Sequence, residues 1–465
     1  MSNNIKDTIC IFAWDYPVLN LSRNELRYCC RAKAHTLTND DFKSGTKLFN
    51  NFIPIKQVRK DLLTGVKNAD CDSCWSIEAS GGKGPRSRFD SFVSFVIKNQ
   101  VWPELSKEQI IEKLHSLSNE EIETLVNLES VRMIEISLGN TCDLKCMYCH
   151  HHYSSQWATE NLKYGEIRIE DVERELPRIT DTIYEDLWWS WFENSAGPSA
   201  SAINFIGGEP LIIDKFYSYS DRIINFYENN LTNTRSRDIS IVTNFNTPVK
   251  LYTKFLTTVE KIIASKQLKL DFNVSCESIG SRAEFIRTGT DWLLMVNNID
   301  KFLTFINEHD PLQSRITFNF QIALNALCIS DLPNFFKFVI KLQKDTGRRI
   351  HLRPNQIAYP EWLNPYILPP SYAKYIDESI AIIEEEMKII NDHSKYSPFG
   401  RWDAYVSFLK TIKQGIENPN KNNNARTEFV TNIDKLTLRR NLDFNKTFPE
   451  MIEFYNECKL LSITK

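Results

Sequence analysis

Between Val131 and Arg353, short runs rich in β-branched and aromatic residues alternate with longer stretches of helical periodicity. The runs Val131 to Leu138, Ala202 to Ile206, Ile239 to Val242, Leu268 to Val274, Ile316 to Leu324 and Ile350 to Arg353 read as strands. The stretches Ile169 to Phe192, Phe216 to Tyr227, Leu251 to Val259, Ile286 to Phe305 and Leu332 to Leu342 read as helices, with Pro248 in a first-turn position, where proline is tolerated. Strands separated by helices are joined by βαβ crossovers, so the pattern predicts an α/β fold with a parallel sheet. Ligands in such folds sit at the carboxyl ends of the strands. The residues that end each run are therefore the candidate site.

The first run is followed by Cys142, Cys146 and Cys149, spaced C-x3-C-x2-C. Iron–sulfur cubanes are normally held by four thiolates, and structural zinc sites close four Cys or His ligands. Three cysteines within eight residues fit a cubane with one iron left to a substrate-like ligand. The other reading recruits His150, His151 or His152 and closes a Cys3His zinc site. The second run ends in Gly207, Gly208, Glu209 and Pro210. Two glycines at a strand end allow close backbone approach to a ligand, and a carboxylate there suits an ammonium group.

The cysteine spacing after a first strand and Gly-Gly-Glu-Pro after a second resemble the radical S-adenosylmethionine (radical SAM) superfamily. The resemblance implies a partial (β/α)6 TIM-like barrel and a [4Fe-4S] cluster whose free iron is chelated by the amino and carboxylate groups of SAM. It further implies reductive cleavage of SAM to a 5′-deoxyadenosyl radical that abstracts hydrogen from a substrate, and a low-potential electron donor such as flavodoxin or ferredoxin. Carried over residue by residue, Tyr148 is similar to the aromatic near the adenine, and Gly207, Gly208 and Glu209 to the motif that meets the methionine ammonium. Ser275 matches a serine of the fourth strand, with Glu277 where aspartate is usual, and Arg287 a carboxylate-binding arginine. Thr243 and Asn244 match a ribose contact, although Phe245 stands where glycine is common. Cys276 is a candidate hydrogen donor or a buried thiol; Cys328 and Cys458 read as buried thiols.

A second thiol-rich segment lies near the N-terminus: Cys10, Cys29 beside Cys30, then Cys71 and Cys74 in C-x2-C spacing. Four thiolates from one region complete a metal site, an auxiliary iron–sulfur cluster or a zinc site. With Phe49-Asn50, Leu62 to Gly65 and Glu78 to Gly82, the segment resembles the twitch or SPASM module of radical SAM proteins, here placed before the barrel. Asn24 occupies the glycine position of that pattern and tolerates a left-handed turn; Cys29 falls four residues beyond it.

The expected division is residues 1–125 for the auxiliary module, 126–365 for the barrel and 366–465 for a helical extension opened by Pro369-Pro370. Within the extension, Tyr372 to Ile390 reads as helix with Glu384 to Glu386 on a solvated face, and Asn418 to Asn424 as a loop. With 465 residues the chain is long enough for two to four units. Its 56 basic and 59 acidic residues leave a net charge of −3, a balance that does not favour a nucleic-acid backbone. No run of about 18 apolar residues suggests a membrane span, and the first residues lack the apolar stretch of a signal peptide. Eleven cysteines without a secretory signal point to a reducing cytoplasm. Trp188, Trp189 and Trp191 beside Phe192 read as packing residues or a partner surface. Auxiliary clusters in the resembled family accompany modification of ribosomally made peptides, so a peptide or protein side chain is the expected substrate. Oxidation or rearrangement of a small molecule, and a non-catalytic scaffold, are the alternatives.

Overall fold

The computed structural model describes residues 4–38, 41, 49, 52–79, 89–128, 130–170, 182–230, 236–391, 402–418 and 420–463. Asn50, Ser80 to Gly82, Pro419 and part of the expected helix Ile169 to Phe192 lie outside them. In chain order the strands are β1 (Val18–Asn20), β2 (Glu25–Arg27), β3 (His35–Thr36), β4 (Met133–Ser137), β5 (Lys145–Cys146), β6 (Ala202–Ile206), β7 (Arg237–Thr243), β8 (Leu268–Ser275), β9 (Arg287–Thr288), β10 (Ile316–Leu324) and β11 (Ile350–Gln356). The chain forms two compact units. One comprises Met1–Gly139, Ile169–Gly207 and Asn225–Ile239; the other comprises Asn140–Arg168, Gly208–Ile224 and Ser240–Lys465.

In the first unit the strands run in the order β6-β4-β1-β2-β3. β4 pairs in parallel with β6 and with β1, so Ile136 lies beside both Phe205 and Leu19. β1, β2 and β3 then form an antiparallel meander. Residues expected to form a module of their own thus share a compact unit, and a sheet, with β4 and β6. Asn24 sits in the β1–β2 turn at φ +52°, the left-handed conformation that its short polar side chain tolerates. Trp188, Trp191 and Phe192 are fully enclosed. Trp188 stacks on Phe192 at 5.4 Å, and Phe192 packs against Phe226, so these rings pack the core of this unit. Arg59, also buried in this unit, lies over the rings of Trp14 and Phe49 and donates from Nε to the Ala13 carbonyl and from Nη1 to the Val126 carbonyl.

The second unit orders its strands β11-β10-β8-β7, with β10 parallel to both β8 and β11. Period-two alternation gives the sheet two faces of opposite character. Leu268, Leu270, Phe272 and Val274 of β8 and Ile316, Phe318, Phe320 and Ile322 of β10 are buried. Helices Val249–Ala264 and Trp292–His309 add Phe255 and Phe302 to this side, where Phe272 lies 5.1 Å from one ring and 4.6 Å from the other. Each such ring contributes roughly 2 kcal/mol by leaving water. The other face is polar. Asp271 accepts two bonds from Arg353, at 2.7 and 2.9 Å, and one each from Ser240 and Asn319.

Two local expectations need correction. The expected helix Ile286 to Phe305 is two helices, Gly280–Ile286 and Trp292–His309, with β9 between them. Gly289 at φ +107° turns the chain, and the Asp291 carboxylate caps the second helix at the Leu294 amide, so the break is built by a turn and a cap. Pro248 stands at the N-cap of Val249–Ala264 rather than inside its first turn, which leaves its missing N–H without consequence. Beyond β11, helices Ala373–Asn391, Trp402–Glu417, Asn423–Arg440 and Ile452–Ile463 complete the second unit. Among the described residues no helix is long and apolar enough to cross a membrane.

Two stability predictions follow. A Cβ on Gly415 would stand 2.0 Å from the Tyr366 ring, whose hydroxyl donates to Gln356; Gly415→Ala is therefore expected to cost about 1–3 kcal/mol by overpacking, read by denaturant unfolding. Asp310 is buried beside Arg348 at 2.9 Å and accepts from the amides of Ser314, Arg315 and Ile316. Burial opposes its ionisation, but these partners win and hold the carboxyl below its ordinary value. Its contribution is thus complete above the unfolded-state pKa and is lost as pH falls through the folded one. The stability gap between the wild type and Asp310→Asn should shrink on acidification below about pH 4, as followed by unfolding at a series of pH values.

Candidate active site

The loop that leaves β4 is tied down along most of its length, and all of its anchors belong to the second unit. Ser155, at the start of helix Ser155–Lys163, accepts from the Cys142 amide and donates to its carbonyl, both at 3.2 Å, while its own amide donates to the Asn140 carbonyl. The N-cap Ser154 donates to the Leu144 carbonyl at 2.6 Å. The Trp157 indole donates to the Cys146 carbonyl at 2.8 Å. β5 and β9 form a two-residue antiparallel ladder that sets Cys146 opposite Arg287, and the Met147 amide continues it to the Ile286 carbonyl. A run of polar residues around cysteines would otherwise be a mobile loop; here side chains from a helix cap and a β ladder satisfy its backbone groups.

All three cysteines are free thiols, and Cys146 is buried. Burial pushes each thiol upward, Cys149 to about 12, and the Cys146 charge acts on both Cys142 and Cys149. Among the described residues no three Cys, His, Asp or Glu side chains converge into a cage for a single ion. The donor chemistry of the loop nevertheless fits an iron–sulfur cluster: three cysteines outside any disulfide, with Cys146 acting on the other two, on a backbone held by hydrogen bonds. His150, His151 and His152 pack edge to face against one another, and the His150 Nδ1 accepts from the His152 amide.

The Gly-Gly-Glu turn is shaped by close approach. Gly208, at φ +53°, lies so near the cysteine loop that a Cβ would stand 2.2 Å from the Thr141 carbonyl oxygen, and the Glu209 amide donates to that oxygen at 2.8 Å. Gly207, at φ +83°, is closed off in its own unit, where a Cβ would meet Ser137 Oγ at 2.0 Å. The Glu209 carboxylate is enclosed. One oxygen accepts from Thr243 Oγ1 at 2.6 Å and the Leu211 amide at 3.1 Å, and the other accepts from the Asn244 amide at 2.6 Å. Burial pushes this carboxyl up to about 7 against the pull of those donors. Asn244 in turn donates to Asp143 at 2.7 Å. Phe245, at φ +53°, makes the left-handed turn with an aromatic side chain buried against Phe272 and Phe302.

At the end of β8, Ser275 is half-buried, and Cys276 is fully buried with its thiol against the Ser278 carbonyl. Glu277 accepts from the Tyr148 hydroxyl at 3.1 Å. Arg287 donates to Tyr148 Oη and lies 3.5 Å from Glu277. Burial raises the Glu277 carboxyl, and Arg287 opposes that rise. The structure thus joins Tyr148, Glu277 and Arg287 into one buried network next to Cys146. Asp143, Trp157, Glu160 and Arg440 were not legible as site residues. Asp143 carried a faint signal, a charge between two cysteines, whereas Glu160 and Arg440 are 280 positions apart.

In the first unit Cys10, Cys71 and Cys74 are buried, Cys29 is half-buried and Cys30 exposed. Cys71 lies 3.2 Å from the Tyr28 hydroxyl. Burial raises the thiols of Cys29 and Cys30, the latter to about 11; the field of Cys10 reaches Cys29, and that of Cys74 reaches Cys30.

No family model matches this chain, and neither does any curated protein. Solved structures that resemble it include native anSMEcpe with bound AdoMet, at 14% identity and a TM-score of 0.36 over 55% of this chain and 61% of that one. The same protein with bound AdoMet and a Cp18Cys peptide gives 16%, 0.32, 55% and 60%. Streptococcus suis SuiB bound to S-adenosylmethionine gives 11%, 0.32, 82% and 74%. The chain spans about three fifths of the length of the first two. Overlap of this extent assigns neither a family nor an activity.

Removing one partner of a buried ion pair strands the other charge. Glu277→Gln is therefore expected to lower stability by about 3–5 kcal/mol, measured by denaturant unfolding of the metal-free protein.

Proposed function

We propose that this chain is a radical SAM enzyme. The observation that carries the reading is the loop with Cys142, Cys146 and Cys149: three free thiols on a backbone pinned by a helix cap and a β ladder, beside a glycine turn shaped for close approach. The three thiolates would hold a [4Fe-4S] cluster. When bound, that cluster supplies the electron that splits SAM into methionine and a 5′-deoxyadenosyl radical able to take hydrogen from an unactivated C–H bond.

The chain's own residues bind, orient and shield. Tyr148 and Arg287 form one wall of the SAM site, and their bonds with Glu277 fix both groups before ligand arrives, which lowers the cost of ordering them on binding. Glu209 shapes another part of the site by holding Thr243 and Asn244 in place; with three donors already on its carboxylate it has limited capacity for a further ammonium. Ser275 lies at the end of β8, on the side of the sheet away from the phenylalanine core. The buried Cys276 thiol bonds to a carbonyl, which disfavours it as a hydrogen donor.

Cys10, Cys29, Cys71 and Cys74 would hold a second cluster in the first unit, with Cys30 as the competing ligand for Cys29. That second thiol set supports a peptide or protein side chain as the substrate, with a flavodoxin- or ferredoxin-like donor supplying electrons.

Full-length protein reconstituted with iron and sulfide under anaerobic conditions is expected to release 5′-deoxyadenosine from SAM on addition of dithionite. Joint replacement of Cys142, Cys146 and Cys149 by alanine should abolish release while keeping the iron of the N-terminal set. A wild type that carries intact clusters and releases no 5′-deoxyadenosine would overturn the reading.

A further inference from the structure

Arg440 is the last residue of helix Asn423–Arg440, almost three hundred positions beyond the cysteine loop, and its side chain is fully enclosed. Its guanidinium meets Glu160 on both edges, from Nε at 3.2 Å and from Nη2 at 2.9 Å. Nη1 donates to the Lys145 carbonyl at 2.8 Å and to Thr288 Oγ1 at 3.2 Å, so one group touches both strands of the β5–β9 ladder. Its charge also lies 4.4 Å from the ring of Trp157, whose indole N–H holds the Cys146 carbonyl. Lys145 Nζ donates to the same Glu160 at 2.8 Å. The carbonyls of Lys145 and Cys146, successive in the chain, are thus both held by side chains from outside the loop. A buried charge is costly unless an opposite charge and hydrogen bonds compensate its desolvation; here Glu160 supplies the charge, and the remaining bonds fall on two successive peptides of the loop and on the facing strand.

Resting on the radical SAM reading above, we propose that Arg440 is a positioning residue for the cluster: from the end of helix Asn423–Arg440 it clasps the loop together with Glu160 and Trp157 of helix Ser155–Lys163, fixing Cys146 and keeping a positive charge beside it. Partners one shell out from a metal ligand set its orientation and the electronics of the metal, and their loss typically costs about 10- to 100-fold in metal affinity.

The test uses the full-length reconstituted protein and four variants. Arg440→Met removes the charge and the fork, Arg440→Lys restores charge alone, and Trp157→Phe removes the indole N–H while keeping a smaller aromatic ring. Lys435→Met, on the same helix as Arg440, breaks a partly exposed pair with Glu166 and should behave as wild type. Iron retention is followed by chelator titration, the cluster potential by EPR-monitored reduction, and loop protection by hydrogen exchange over residues 140–154 of the metal-free protein. Arg440→Met is expected to release the loop's iron at a chelator concentration about tenfold lower or less, with a more negative cluster potential and faster exchange at Met147 and Cys149. Arg440→Lys should recover most of the potential but not the retention, and Trp157→Phe should speed exchange without moving the potential. Retention, potential and exchange of Arg440→Met equal to those of wild type would overturn the proposal; if that variant does not fold, wild-type exchange in Trp157→Phe would do so. Should wild type take up no iron at Cys142, Cys146 and Cys149, the radical SAM reading fails by itself, and exchange in the metal-free variants still decides whether the clasp orders the loop.

Discussion

One buried carboxylate ties the end of β7 to the cysteine loop in the second unit. Glu209 accepts from a hydroxyl and two backbone amides while its own amide reaches the Thr141 carbonyl, so a single residue joins the start of the cysteine loop to the end of β7. Three donors on a carboxylate in a low-dielectric interior are worth far more than the same bonds in water, and an unmade one would be correspondingly costly. Gly208 is the geometric precondition, because any side chain there would collide with Thr141. Glycine and glutamate in sequence are therefore one device: the first permits the approach, and the second locks it.

The alternation of apolar runs and helical stretches was enough to place β4, β6, β7, β8, β10 and β11, because strands with one apolar face alternate over several residues, as in Leu268–Ser275 and Ile316–Leu324, whereas the two- and three-residue strands β1, β2, β3, β5 and β9 are too short to carry such a signal. Asn24 was legible as a left-handed turn for the same local reason, its side chain being one of the few that tolerate it. The break after Ile286 was not, although the polar stretch Arg287 to Asp291 interrupts the apolar periodicity, because its turn at Gly289 and its cap at Asp291 look the same as a polar helix face in one dimension. At the site, cysteines and glycines stand out by spacing. The residues that hold them do not, because Trp157, Glu160 and Arg440 carry their meaning only in three dimensions.

Phe245 shows how tertiary packing overrides local preference. A left-handed backbone costs a bulky residue about 1–3 kcal/mol, yet the ring lies among Tyr252, Phe255, Phe272 and Phe302. Burial of one phenylalanine returns roughly as much, and the Phe245 amide is further held by Thr243 Oγ1 at 2.9 Å. Glycine would relax the backbone and empty the cluster. The turn after β7 is consequently set by the aromatic core behind it as much as by the residues in front.

The separation of Lys145 from Arg440 along the chain also orders events in time. A ribosome adds residues from the N-terminus, so the cysteine loop emerges and samples conformations long before the guanidinium that spans its ladder has been synthesised. Contacts between residues so distant in sequence close late and slowly. In a growing chain the three cysteines are thus exposed before their support exists, and the proposed cluster role would place metal loading after translation has passed the last turn of helix Asn423–Arg440.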